Sequence, residues 1–140
     1  MSALSDYLEN ELLDHVLNNG RSITYTPPTT LYIALFTSVG GLENNTEGSQ
    51  TEISGGSYAR VALNGSTNYF TVAASGATSN YAEIAFTTAT ADWGTITHVA
   101  IMDAATSGNV LLWGALSVSK EIKSGDQFKF TAGNLDISLA

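Results

Sequence analysis

Residues Trp93 to Leu116 read WGTITHVAIMDAATSGNVLLWGAL and hold both tryptophans of the chain. Ile96, His98, Ala100 and Met102 alternate with Thr97, Val99 and Ile101, which assigns the two sets to opposite faces. A period of two marks a strand, because the pleat turns each side chain away from its neighbours. Asp103-Ala-Ala-Thr-Ser-Gly-Asn109 follows, a polar run in which Gly108 and Asn109 tolerate left-handed backbone angles. Val110 to Leu116 is then almost wholly apolar and reads as a strand covered on both faces. The stretch predicts a hairpin, with Trp93 and Trp113 expected to meet at the same end. Asp92 and Gly94 place Trp93 at a strand start near solvent, so Trp113 is expected to be the more deeply held ring.

The rest of the chain after its first twenty residues has the same short-strand character. Leu31 to Thr37 (LYIALFT) is apolar on both faces and reads as a central strand, stiffened at its start by Pro27-Pro28. Val39 to Glu52 is polar, acidic and glycine-containing, and is expected to be an exposed loop. Ser57 to Leu63 reads as a strand, and Asn64-Gly65 as a type I′ turn leading to a return strand over Asn68–Ala73. Ala82–Phe86, Ser119–Ile122, Gln127–Thr131 and Leu135–Leu139 complete the strands. The expected fold is mainly β, an antiparallel sandwich of immunoglobulin-like or jelly-roll-like type with about eight strands. The expected core comprises Leu31, Ile33, Leu35, Trp93, Ile96, Ile101, Leu111, Trp113, Phe128, Phe130, Leu135 and Ile137.

Residues 4–18 carry the one convincing helical pattern. Ser5 is a plausible N-cap, Ser2 its rival, and Asp6 and Glu9 bring negative charge to the positive end of the helix dipole. Leu4, Leu8, Leu12 and Val16, with Leu13 and Leu17, form one apolar stripe, with Asn18-Asn19-Gly20 as the stop. A helix this short is marginal alone, so the stripe must dock on something. The expected organisation is an amphipathic arm over 1–20, serving docking or oligomerisation through Leu4, Leu8, Leu12 and Val16. A single β domain over 21–140 follows, with the exposed loop at 39–52.

The chain has 140 residues, enough for one core, and a formal net charge of -8. Its five Lys and Arg are scattered, which disfavours nucleic acid as a partner. No stretch reads as a secretory leader or a membrane span, and the absence of cysteine excludes disulfides and thiolate metal sites. His98 lies mid-strand within reach in sequence of Asp92 and Asp103, but neither it nor His15 shows metal-ligand spacing. Asp6, Glu9, Glu11 and Asp14 fit a solvated helix face. Gly55-Gly56 lacks the frame of a phosphate loop, and nucleophile-elbow and zinc-protease motifs are absent. Asp92 and Asp103 are the one carboxylate pair that merits a test for glycoside hydrolysis. No cofactor is expected.

LSDYLENELLDHVL (Leu4–Leu17), LYIALFTS (Leu31–Ser38), TEISGGSYARVAL (Thr51–Leu63), SNYAEIAFTTATADWGTITHVAIMDAATSGNVLLWGAL (Ser79–Leu116) and SGDQFKFTAGNLDISL (Ser124–Leu139) occur in that order. Together they resemble a family of small tailed-bacteriophage virion proteins, described as tail-fibre-like or minor structural proteins. GGSYAR and the tryptophan stretch are the most specific pieces. The resemblance implies a virion structural protein without catalysis, tail-associated before head-decorating, assembled in the host bacterial cytoplasm. It implies other virion proteins as partners and a homo-oligomer, a trimer before other states. A host surface glycan is a further expected partner. The reading from another class is a carbohydrate-binding module, with Trp93, Trp113 or exposed tyrosines as stacking platforms.

Overall fold

The computed structural model describes residues 3–17, 25–38, 40–44, 51–64 and 69–139. Among them the alternating run becomes strand β7 (Gly94–Met102) and the apolar run becomes the first part of β8 (Val110–Ile122). These two pair antiparallel as the expected hairpin. The apolar run at Leu31 becomes β2 (Thr30–Ser38), which pairs with β7 on one side. On its other side β2 pairs with β3 (Thr51–Glu52) and β4 (Val61–Asn64), so it is central. Strand β1 (Ala3–Leu4) pairs with β8 at Trp113 and Leu112 and completes a six-stranded sheet.

Both faces of β2 and β7 are covered. Ile33, Leu35, Val99 and Ile101 enter the main core, and Ala34, Phe36, Ala100 and Met102 enter a smaller second cluster. The second layer over the main core consists of two separate ribbons, where a single continuous sheet would be usual for a sandwich. One ribbon pairs β5 (Ala77–Ser79) with β10 (Asp136–Ser138), and the other β6 (Ile84–Ala85) with β9 (Lys129–Phe130). Asn80, itself buried, ties the ribbons together. Its amide donates to the carbonyls of Ala82 (2.9 Å) and Thr131 (3.0 Å), and its oxygen accepts from the Leu135 amide (2.8 Å). The fold is therefore mainly β and antiparallel, with one helix near the N-terminus, in a sandwich whose second layer is split.

The helix α1 (Asp6–Leu17) begins where expected. Ser5 is its N-cap: its hydroxyl accepts from the Leu8 amide at 3.3 Å and donates to the Val110 carbonyl. Its own amide donates to the Leu111 carbonyl at 2.9 Å, so the cap is fastened to β8 and fully buried. Leu8 is buried against its own domain, Leu4 and Leu12 are half-buried, and Val16 is exposed. The expected C-cap at Asn18–Gly20 lies outside the described residues.

The 39–52 stretch is described at 40–44 and 51–52. Leu42 is fully buried in the second cluster, and the Glu43 carbonyl accepts from the Asp6 amide at 2.8 Å. That part packs over the sheet and meets the helix start.

Several expectations fail for identifiable reasons. The two tryptophans do not meet. Trp113 faces Ala100, close to the hairpin tip, whereas Gly94 pairs with Ile122 at the other end. Ile96 joins the main core with Val99 and Ile101, not the face of Ala100, because the pairing shifts between Ile96 and His98. There Ile96 pairs with Lys120 and His98 with Ala115, so 116–119 bulge out of the ladder. A bulge of this kind changes which face a side chain reaches. Beyond Gly114, β8 is mostly exposed, so Val110–Leu116 is not covered on both faces throughout. The partner of β4 is β2, while 69–74 bend back on 77–80 through isolated bridges. The Asn64-Gly65 turn falls outside the described residues beyond Asn64.

The depth order of the tryptophans is also reversed. Trp93 is 5% exposed in the main core, and its Nε1 donates to the Gly56 carbonyl at 2.9 Å. Trp113 is half-buried beside the smaller cluster, and its Nε1 has no partner among the described residues. Trp93→Ala therefore loses both packing and a hydrogen bond and is expected to cost about 3–5 kcal/mol. Trp113→Ala is expected to cost clearly less. Urea unfolding of the two variants checks the order, and a larger loss for Trp113→Ala contradicts it.

Candidate functional site

The GGSYAR segment, residues Gly55–Arg60, builds the densest side-chain network among the described residues. Its glycines and Ser57 all have positive φ, at 72°, 56° and 63°. At Gly56 a Cβ would come within 2.9 Å of Trp93 Nε1, so the close approach of backbone to indole requires glycine as well. The turn then delivers Tyr58 into the core. Its ring stacks on Phe86 at 6.0 Å and meets Trp93 edge-on at 5.4 Å, both common aromatic geometries. Its hydroxyl accepts from the Leu35 amide at 3.0 Å and donates to Glu52 Oε1 at 2.9 Å.

Arg60 completes the network. Nε and Nη2 donate to the two oxygens of Glu52 at 2.8 and 2.7 Å, a bidentate pair. Nη1 donates to the carbonyls of Ala104 (2.7 Å) and Ser107 (2.8 Å), in the hairpin tip. The Arg60 side chain is 6% exposed and that of Glu52 26%. Burial works against the guanidinium charge, but the hydrogen bonds and charge of Glu52 outweigh it and raise the Arg60 pKa. The tip is itself braced: Asp103 accepts from the Asn109 amide at 2.7 Å and from its side-chain amide at 2.8 Å. Gly108, with φ of 76°, leaves no room for a Cβ beside Asp103. Four Arg60 hydrogen bonds and both Glu52 oxygens are thus engaged within the protein itself. The network joins β3, the 55–60 turn and the hairpin tip.

The candidate chemical groups are not brought together. Asp92 and Asp103 flank β7 at opposite ends, roughly 30 Å apart at about 3.3 Å per extended residue. A glycosidase pair needs about 5–10 Å. Asp92 instead accepts from the Ser124 amide at 2.9 Å. His98 Nδ1 lies 2.8 Å from the Thr97 hydroxyl, its ring leans on Trp113 at 6.4 Å, and burial lowers its pKa. Among the described residues no three His, Cys, Asp or Glu side chains cluster as metal ligands would. Of the expected core, ten residues are buried, while Leu31 and Trp113 are half-buried at its margins. A sugar platform needs an open aromatic face: Trp93 has none, Trp113 is half-buried, and Tyr81 is 51% exposed.

A family model described as podophage GP4 fiber I protein gp80 matches residues 3–138. The chain belongs to that family. No curated protein matches it. The match spans β1 through β10, so the fibre family is shown for the whole described fold and not for one motif.

Sequence reasoning marked GGSYAR as specific and Arg60 as a scattered cation, but missed the Glu52–Tyr58–Arg60 network. The available signal was a carboxylate, a tyrosine and an arginine around two glycines, in a chain with few cations.

Burial first, then the charge of Glu52, push the Tyr58 phenol well above its ordinary value near 10. A pKa raised on folding contributes stability that is complete below the unfolded value and is lost as pH rises beyond it. Wild-type stability is therefore expected to fall above about pH 10 partly through Tyr58. Tyr58→Phe is expected to be about 1–3 kcal/mol less stable at neutral pH, leaving the Leu35 amide and Glu52 short of a partner. It is also expected to fall less steeply in alkali. Urea midpoints from pH 7 to 11 check this, and parallel profiles contradict it.

Proposed function

We propose that the chain is a non-enzymatic, tail-associated component of a tailed-bacteriophage particle that works by protein–protein assembly. The observation that carries this reading is an exposed apolar ridge on a helix that is otherwise fastened down. Leu13, Val16 and Leu17 are 56, 70 and 73% exposed, at spacings of three and four. The same helix is locked at its start by Ser5 and packed inward through Leu8. Apolar side chains at i, i+3 and i+4 on a fixed helix are the anchors of helix-in-groove recognition. The helix thus serves as the docking arm of a rigid β domain. Membership of a fibre family supports association with other virion proteins and location in the particle.

Two further features support an inert scaffold. The polar groups of the GGSYAR network are engaged with one another and with the hairpin tip, and the carboxylates that sequence singles out lie far apart. Head-surface decoration is the alternative of the same class, since a decorating protein needs the same rigid domain and docking face.

Gold-labelled antibody against the chain, viewed on intact particles by electron microscopy, is expected to mark the tail end. Label spread over the head contradicts the tail assignment and favours decoration.

A further inference from the structure

The helix ridge has a counterpart elsewhere on the same molecule. Beyond Gly114 the outer edge of β8 has no paired strand among the described residues, and residues 115–118 lie across from the end of β9 and the turn before β10. Between them lies a groove of about 670 Å³. Leu116 and the 78% exposed Val118 form one wall, and Phe128 and Phe130 line it as well. Lys120 and Lys129 are also among its lining residues, with the Lys129 ammonium at the margin beside Glu83. Of the five Lys and Arg in the chain, Arg60 is buried in its network and Arg21 lies outside the described residues. Two of the remaining three therefore meet at this groove.

The ridge carries the opposite charge. Asp6, Glu9, Leu13, Val16 and Leu17 follow one another at helical spacings of three and four or side by side, and all are exposed. Carboxylates occupy the first half of this face and apolar groups the second. We propose that this face of one chain seats in the β8 groove of a second copy, with Leu13, Val16 and Leu17 against Val118 and Leu116. Asp6 and Glu9 then approach Lys120 and Lys129.

The inference rests on the assembly reading and names its contact. A parallel like-on-like contact between helices would set Asp6 and Glu9 of both copies against one another, whereas the groove is lined by Lys120 and Lys129. The helix does not fill its own groove, because its ridge is exposed and its start is fastened at Val110 and Leu111. The existing partners of the lysines do not block the contact. Lys129 pairs with Glu83 at 3.5 Å, an exposed pair of little strength, and Lys120 lies 5.9 Å from the Phe128 ring centre. Asp136 also lines the groove, so the lysines and not the groove as a whole provide the attraction.

The test uses the purified full chain and sedimentation velocity. The helix variant is Val16→Asp with Leu17→Asp, and the groove variant is Val118→Asp with Lys120→Glu. All four positions are exposed, and circular dichroism melts verify that both variants stay folded. Wild type is expected to self-associate, and each variant to bind its own kind at least about tenfold more weakly. Mixing the two restores one intact helix and one intact groove, so a one-to-one complex is expected. A groove variant that associates like wild type, or a mixture that stays monomeric, overturns the contact. A monomeric wild type also overturns it. If particles still incorporate wild type and exclude the helix variant, the assembly reading stands and only the occupant is wrong.

Discussion

Arg60 and Glu52 hold the fold together at its least regular point. Between β3 and β4 the chain runs through 53–60 without a ladder, and this run must join the sheet edge, the main core and the β7–β8 tip. A buried guanidinium is costly unless its donors are matched. Here the carboxylate and the tip carbonyls of Ala104 and Ser107 supply acceptors, so the charge demands that these segments stay together. Tyr58 extends the constraint inward, where its ring touches Phe86 and Trp93. Trp93 closes the circuit by bonding back to Gly56. Removing Glu52 leaves the buried guanidinium without its counter-charge, and removing Arg60 unties the turn from the hairpin tip, so the shape of the turn and the stability of the core are coupled.

That coupling explains why the most specific sequence piece carries no open chemistry. Two glycines, an aromatic and an arginine in a row look like a binding loop. Their positive φ values, close packing and shared hydrogen bonds are all consumed in shaping the domain. Exposed apolar side chains lie elsewhere, at Leu13, Val16 and Leu17 on the last turns of α1 and at Val118 on β8. A fibre-family domain divided in this way has a rigid centre and apolar groups presented at fixed positions.

Much of the architecture is legible in the sequence because it rests on local rules. The period of two around Val99, the double-faced apolar run at Leu31 and the serine cap each depend on a few adjacent residues. What fails depends on contacts between distant residues. Nothing local in Thr97-His98 announces the bulge that swings Ile96 into the main core. Distance to the hairpin tip sets the tryptophan positions, so Trp113 stays near the tip while Trp93 ends at the far end of the strand. Leu42 is buried although its neighbours are polar, because Glu43 and the helix start hold that segment over Phe36 and Met102. The Glu52–Arg60 pair joins residues eight apart across a turn whose shape is set by glycine angles. The placement of the candidate site follows the same division. The helix stripe is readable from spacing, but its split into an inward Leu8 and an outward Val16 depends on where β8 lies.

Glu52 and Arg60 act as one unit, and a double-mutant cycle measures their coupling. Glu52→Gln, Arg60→Met and the double variant are unfolded in urea beside wild type, with Tyr58 left in place. The double variant is expected to lose much less stability than the sum of the singles, with a coupling of about 1–3 kcal/mol. Losses that add to within about 0.5 kcal/mol would contradict it, because independent residues behave in that way.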